Sequence, residues 1–190
     1  MSFAVGVQTG NTSLKKQLVP YNPNRVPVFH GTRRDRGETA VSEQRLSSSQ
    51  NVYDWLGHGI YFWESSTRAY QWAETKYGRE GVVVRTEVLL GHCLDLFDPN
   101  WAPMVKHAYE SVKRTYTADG KRLPENRGGY RPLDCLVMNE LAGNLVEVDT
   151  IRAPFLEGEP VYPTSILVGL SHVQVTVRNP NAIIRPLEIV

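Results

Sequence analysis

The pattern of apolar and polar residues predicts strands at three widely separated positions in the chain. Residues 81–90 are rich in β-branched side chains, and residues 172–178 alternate strictly, with three valines on one face and polar side chains on the other. A shorter apolar run at 26–30 ends in a glycine turn. Pro27 restricts that run to a sheet edge or to the start of a strand.

Apolar residues at helical spacing predict helices between these strands. They cover residues 68–77, 99–116 and 134–144, with a shorter helix within 38–46. Ser65 and its two neighbours are candidate N-caps of the first long helix, and Gly78 is a candidate C-cap. Two long stretches, 117–131 and 156–171, have the composition of loops.

The order of these elements predicts one α+β domain over residues 25–190. A chain of 190 residues with 41% apolar and 22% charged residues is typical of a globular protein with a full core. Residues 1–24 are polar and mixed, and we expect a loosely ordered N-terminal segment there.

Residues 53–64 contain the densest group of aromatic residues, and they predict a turn that leads into a strand. Two glycines in this stretch, Gly57 and Gly59, suit positions where a side chain would clash or where φ is positive. In a strand, Tyr61 and Trp63 face one way and their neighbours face the other. The rings either belong to the core or stack on a flat ligand.

Charge and cysteine content exclude few classes of function. The net charge of +1 gives no argument for a nucleic-acid or membrane partner. Cys93 and Cys135 lie in no metal-binding or disulfide pattern, so we expect no metal site and a reducing, cytoplasmic setting. The first twenty residues lack the pattern of a signal peptide, and no run has membrane-spanning length.

Three features in this order resemble the ADP-ribosyltransferase superfamily. They are His30 followed by Gly31 and Thr32, the Gly59–Glu64 stretch followed by a helix, and Gln174 on the polar face of the last alternating strand. The resemblance is to the diphtheria-toxin and poly(ADP-ribose)-polymerase-like branch, which has a His–Tyr–Glu triad with a variable third residue. It spans residues 26–185 and implies a split two-sheet α+β core with flanking helices.

The resemblance implies a role for each of these residues toward NAD as co-substrate. His30 binds a ribose hydroxyl, the backbone of Gly31 holds the nicotinamide amide, Tyr61 stacks on the nicotinamide, and Gln174 takes the place of the catalytic glutamate. The helix at 67–77 backs the nicotinamide pocket. The implied NAD-binding residues are His30, Gly31, Thr32, Ser47, Gly57, Gly59 and Tyr61, and the implied catalytic residues are His30, Tyr61 and Gln174.

Gln174 departs from the commonest pattern of this branch. An amide bonds to a ribose but supplies neither negative charge nor a base. Three explanations follow: a carboxylate elsewhere assists, the acceptor is nucleophilic enough to need no base, or the domain binds NAD without transfer. The candidate carboxylates are Glu64, Glu157 and Glu159.

The function implied by the resemblance is mono-ADP-ribosylation of a protein or nucleic acid with release of nicotinamide. Loop 156–171 would face this macromolecular acceptor. A small transferase of this type fits a bacterial or phage toxin or defence effector, which a neutralising antitoxin would bind. The alternatives are a catalytically silent NAD-binding or interaction module, and a relative that acts on phosphorylated RNA ends. The RNA alternative requires a basic surface, for which the loop around 121–131 is the candidate.

Overall fold

A computed structural model describes residues 16–190, which form a mixed α+β structure. The described part of the chain has eight strands: β1 (Gln17–Leu18), β2 (Tyr21–Arg33), β3 (Ile60–Trp63), β4 (Gly81–Asp95), β5 (Val146–Glu147), β6 (Thr150–Phe155), β7 (His172–Val177) and β8 (Ile183–Ile189). Its α-helices are α1 (Arg34–Glu43), α2 (Ser66–Tyr77), α3 (Ala102–Ala118) and α4 (Pro132–Glu140). Three 3₁₀ turns (Gly78–Glu80, Pro99–Trp101, Pro180–Ala182) and one π turn (Leu141–Leu145) extend or connect them.

The six longer strands form two three-stranded halves. In the first half, β4 lies between β2 and β8 and is antiparallel to both. In the second half, β7 lies between β3 and β6, again antiparallel to both. The halves connect where Phe29 pairs with Trp63, and where the last residues of β4, Cys93–Asp95, pair in parallel with β6. Strand β4 therefore belongs to both halves.

The main hydrophobic core lies between the two halves. Val28, Val84 and Leu187 from the first half pack with Phe62 and Val175 from the second. On the outer face of the second half, β6 packs against α3 and α4 in a second cluster. A third cluster lies beneath α2, which covers β2 and β4. Each helix thus covers an apolar sheet face, as expected for a layered α+β structure.

Strand β2 is longer than the sequence predicts. It begins at Tyr21, which pairs with His92, so the loosely ordered segment predicted for residues 1–24 is wrong for its last residues. The prediction failed because residues 21–25 are polar, and their order comes from pairing with β4 rather than from burial. The prediction is also wrong for Gln17–Leu18, which pair with β5, and for Val19, which is buried. Residues 1–15 lie outside the described residues.

Pro27 lies in a part of β2 that pairs with a neighbouring strand on one side only. It pairs with Glu87 of β4, while β3 meets β2 only at Phe29. This confirms the expectation that Pro27 lies at a sheet edge. Among residues 16–190, none of the helices combines the length and the apolar character needed to cross a bilayer.

Candidate functional site

A cleft of about 740 Å³ opens at the C-terminal end of β2. Strand β2 forms its floor, α1 and the loop 45–51 form one wall, and the C-terminal half of α2 forms the other. The volume lies within the range of small-molecule sites. The residues that line it include His30, Gly31, Thr32, Ser47, Asn51, Trp72 and Tyr77, and the charged residues Asp35, Arg36, Glu43, Arg45 and Lys76.

His30 is held as a neutral imidazole at this cleft. Its Nδ1 lies 2.8 Å from the backbone oxygen of Tyr61, and its ring packs edge-to-face on Phe62 with centroids 5.8 Å apart. Burial lowers the pKa of His30, and the hydrogen bond to Tyr61 opposes this only in part. Since the carbonyl oxygen requires a donor, we assign the proton to Nδ1, which leaves Nε2 as an acceptor.

Gly31 allows α2 to lie directly on β2. A Cβ at Gly31 would come within 2.9 Å of the backbone oxygen of Ala69 and 3.0 Å of the Trp72 ring. Trp72 is therefore held beside the His30–Gly31 backbone at the cleft wall. Helical spacing shows which face of α2 Trp72 shares but not which strand end that face meets.

Aromatic rings and cations line the α2 side of the cleft. The rings of Trp72 and Tyr77 are 5.8 Å apart and meet edge-to-face, and Lys76 Nζ lies 4.5 Å from the Trp72 centroid. Trp63 packs 5.2 Å from Trp72, and its buried indole N–H has no hydrogen-bond partner among residues 16–190. Flat apolar faces next to cations suit a ligand with both aromatic and anionic parts.

The opposite wall carries charges of both signs. Arg36 and Arg45 line the cleft together with Asp35 and Glu43. Asp35 is paired with Arg33, and the hydrogen bonds from that guanidinium lower the pKa of Asp35 to about 2. With Lys76, the three cations exceed the two carboxylates, and one carboxylate is already paired with an arginine outside the cleft.

Tyr61 lies in the second half-sheet with its hydroxyl fully engaged. The hydroxyl donates to the backbone oxygen of Gly57 at 2.8 Å and accepts from the backbone N–H of Leu56 at 2.9 Å. Burial, followed by the nearby charge of Asp54, raises the pKa of Tyr61. The ring packs in the cluster with α3 and α4, and it does not line the cleft. Tyr61 therefore fixes the turn that precedes its own strand.

Gly57 and Gly59 serve the backbone, as their sequence context predicts. Gly57 has a φ of +76°, and a Cβ there would lie 2.7 Å from Asn139 Oδ1. A Cβ at Gly59 would lie 2.4 Å from the methyl group of Thr176. Neither glycine lines the cleft, and both allow the 53–59 turn to pack against α4 and β7.

Gln174 is 9% exposed and has two side-chain partners. Its Oε1 accepts from Trp55 Nε1 at 2.9 Å, and its Nε2 donates to His172 Nε2 at 2.9 Å. The strict alternation of β7 correctly predicts its face. A polar residue in a valine-rich strand predicts solvent or a ligand as its partner. That prediction is wrong, because Trp55 and His172 bond the amide within the protein.

His172 lies between Gln174 and the ion pair of Glu157, one of the three candidate carboxylates. Its Nδ1 donates to the backbone oxygen of Leu170 at 2.7 Å, and burial lowers its pKa. Arg68 packs against the same ring at 3.4 Å and forms an ion pair with Glu157 at 2.6 Å. Because Nδ1 already carries the proton that Leu170 accepts, Arg68 contacts the ring without a hydrogen bond, and the Arg68–Glu157 ion pair lies beside the bonded pair of His172 and Gln174.

The side chains of the other two candidate carboxylates have no hydrogen bond to Gln174, His172 or Arg68 within residues 16–190. Glu64 forms a bidentate pair with Arg152 at 2.6 and 3.1 Å, and Asp95 joins the same arginine at 3.2 Å. Glu159 is exposed in loop 156–171. Glu157 is therefore the carboxylate that contacts link to Gln174.

The predicted site residues divide into two groups. Those that line the cleft are His30, Gly31, Thr32 and Ser47, and those that lie outside it are Gly57, Gly59, Tyr61 and Gln174. The two groups meet through the hydrogen bond from His30 to the Tyr61 carbonyl. Residues 16–190 contain no group of three or more His, Cys, Asp or Glu that could hold a metal ion.

Comparisons with known proteins leave this site without a family. No protein-family profile matches the chain, and no solved structure matches it. An uncharacterized protein of Methanocaldococcus jannaschii is 38% identical over 48 residues, which is 25% of this chain and 22% of that protein. The match thus spans about a fifth of the length of that relative.

Proposed function

We propose that this protein is an ADP-ribosyltransferase that binds NAD in the cleft at the end of β2. The observation that carries the proposal is the meeting of His30, Gly31 and Trp72 at one wall of a cleft of about 740 Å³. The two half-sheets that share β4 agree with the split core that the sequence resemblance implies.

The chemistry of the cleft supports a dinucleotide. Neutral His30 offers Nε2 as an acceptor for a ribose hydroxyl. Trp72 and Tyr77 offer flat surfaces for the rings, and Arg36, Arg45 and Lys76 offer positive charge for the diphosphate.

The reaction breaks the bond between ribose C1 and the nicotinamide nitrogen, and the electron pair leaves with nicotinamide. A heteroatom of the acceptor bonds to C1 and loses its proton to water or to a base. Positive charge develops on the ribose, so a nearby carboxylate lowers the barrier. In this chain Glu157 is the candidate for that carboxylate, because its partner Arg68 contacts His172, which bonds Gln174; it would have to exchange Arg68 for the ribose.

A second candidate is an NAD-binding module that transfers nothing. The observation that favours it is the saturation of two predicted catalytic side chains, because the Gln174 amide and the Tyr61 hydroxyl already have protein partners. Transfer requires the ribose either to reach the remaining N–H or lone pair of the Gln174 amide, which is only 9% exposed, or to displace one of its partners. The alternative of an enzyme acting on RNA ends would draw on the basic loop around 121–131 rather than on the cleft.

The deciding experiment combines labelled NAD with whole-cell lysate and follows nicotinamide release and label transfer. The transferase proposal predicts both, and Gln174→Ala should reduce both at least tenfold. Gln17→Ala, which truncates an exposed glutamine in β1, is the matched control and should leave both unchanged. Nicotinamide release that is absent while calorimetry shows NAD binding would establish the binding module. Absence of NAD binding would reject both proposals.

Gln174→Glu separates the possible sources of negative charge. If the reaction centre lacks another anion, the new carboxylate should preserve transfer or raise NAD hydrolysis. If Glu157 or another carboxylate already supplies the charge, repulsion should raise a carboxyl pKa and depress the rate. Wild-type rates in both Gln174 variants would place the reaction centre away from Gln174.

A further inference from the structure

A tight turn presents an arginine and a tyrosine side by side on the surface between α3 and α4. Arg127 and Tyr130 exchange two backbone hydrogen bonds, at 2.8 and 2.9 Å, across Gly128 and Gly129. Paired residues at the base of such a turn point their side chains to the same side. Both side chains are exposed, and with Arg122 they line an open groove of about 470 Å³.

A second tyrosine extends this surface toward the cleft. The rings of Tyr53 and Tyr130 lie 5.8 Å apart at 43°, although Tyr53 is 43% exposed and Tyr130 is 50% exposed. Two neighbouring aromatic rings that remain open to solvent form a stacking surface for flat groups. We name Tyr53, Tyr130, Arg122 and Arg127 the aromatic–basic platform.

The segment around the platform is strongly basic. Residues 113–131 contain six lysines and arginines and two carboxylates, a net charge of +4 in a chain whose total is +1. Both carboxylates form exposed ion pairs, Asp119 with Lys121 and Glu125 with Arg127, and such pairs exchange readily for other anions. Within residues 16–190, Arg122 has no ion-pair partner.

One residue of the platform, Tyr53, lies in the loop that connects the cleft to the proposed reaction centre. Tyr53 lies between Asn51, which lines the cleft, and Trp55, which donates to Gln174. A hydrogen bond of 3.4 Å between Cys135 Sγ and the backbone oxygen of Asn51 holds this loop on α4. A polymer bound at Tyr53 is therefore two residues along the chain from both Asn51 and Trp55.

We propose that the aromatic–basic platform binds single-stranded nucleic acid, and that this is the acceptor class of the transferase. Bases stack on Tyr53 and Tyr130, while Arg122 and Arg127 contact phosphates. Exposed rings beside cations suit a polymer that presents both bases and phosphates. A duplex hides its base faces, so it gains only the phosphate contacts. The acceptor assignment rests on the proposed function, whereas the binding surface stands without it.

The test is fluorescence anisotropy of the full chain with labelled 12-nucleotide DNA and RNA strands, in the absence of NAD. We expect tighter binding of single strands than of duplexes, and an affinity that falls between 50 and 200 mM salt. Tyr130→Ala and Tyr53→Ala should each weaken binding by roughly tenfold or more. Arg122→Glu should weaken binding and lower the salt dependence by about one phosphate contact.

Matched controls lie elsewhere on the surface. Tyr70 on α2 is 44% exposed, and Arg79 is exposed in the 3₁₀ turn after α2, so Tyr70→Ala and Arg79→Glu should leave binding unchanged. Equal affinity for duplexes, or affinity that no platform variant changes, would overturn the platform. Because the assay contains no NAD, that failure would leave the transferase proposal standing. With labelled NAD added, a product sensitive to protease but not to nuclease would overturn the acceptor assignment alone.

Discussion

At the scale of single residues, hydrogen-bond partners decide what each predicted site residue can do. His30 is useful as an acceptor because its Nδ1 is committed to the Tyr61 carbonyl. Gln174 has one protein partner at each end of its amide, so a ligand must use the remaining N–H or lone pair of this buried group or displace Trp55 or His172. The sequence identifies the residue type but not its partners, which are distant along the chain. His30 and Tyr61 are more than thirty residues apart, and Gln174 and Trp55 are more than a hundred residues apart.

His30→Ala should reduce nicotinamide release by at least tenfold, since it removes the acceptor for a ribose hydroxyl. It should also cost about 1–3 kcal/mol of unfolding free energy, because the Tyr61 carbonyl loses its partner. Single-turnover rates and thermal unfolding measure the two effects.

His92 is the matched control for His30. Its Nδ1 also bonds a backbone oxygen, that of Val19, at 2.6 Å, and its ring also packs edge-to-face on an aromatic neighbour, Tyr21. His92→Ala should lose stability to a similar extent and retain activity. If His30→Ala and His92→Ala lose activity to the same extent, the role of His30 is structural.

At the scale of elements, local patterns predict much of the fold and little of the site. Helix α2 has the predicted caps. The Ser65 hydroxyl accepts a hydrogen bond from the backbone N–H of Arg68 at 3.3 Å, and Gly78 is the C-cap. Strand β4 runs on through Gly91 to Asp95, beyond the β-branched run at 81–90 that predicts it. Capping and alternation are short-range signals. The contact of Trp72 with Gly31, which builds the cleft wall, depends on tertiary packing and leaves no local signal.

Gly31→Ala should separate α2 from β2. The new methyl group would press on the Ala69 backbone and the Trp72 ring, and overpacking of this kind costs about 1–3 kcal/mol. Thermal unfolding should show a lower Tm. Gly143→Ala is the control, because a Cβ at Gly143 meets no atom within 4 Å, and it should leave Tm unchanged or raise it. A Tm for Gly31→Ala that equals the wild-type value would show that the two elements are not tightly packed.

At the scale of the whole molecule, β4 makes one cooperative unit of the two half-sheets. Each half packs on the same core, and β4 pairs with β2, β8 and β6. The buried histidines belong to this unit, since His30 lies on β2 and His172 on β7. Unfolding therefore exposes both rings together.

Global stability should fall as the pH decreases below the ordinary pKa of histidine, about 6.5. Burial lowers the pKa of both His30 and His172, so the unfolded chain takes up protons before the folded chain does. Their contribution is complete above pH 6.5 and is lost as the pH falls from there toward the lowered pKa values. Thermal unfolding between pH 5 and 8 measures this. His172→Gln should show a shallower decrease than the wild type, and a Tm that is constant down to pH 5 would contradict the assignment.

Strands β7 and β8 both follow the exposed loop 156–171, so a cut in that loop would separate these two strands from the rest of the chain. Strand β7 is the central strand of one half-sheet, and β8 is an edge strand of the other, so a single short C-terminal piece completes both. A cut in that loop severs no sheet pairing between the longer strands. Separately expressed pieces, 1–164 and 165–190, should each lack a finished sheet and should recover the fold by complementation. The chain can therefore be engineered as a split reporter whose output depends on bringing its two pieces together.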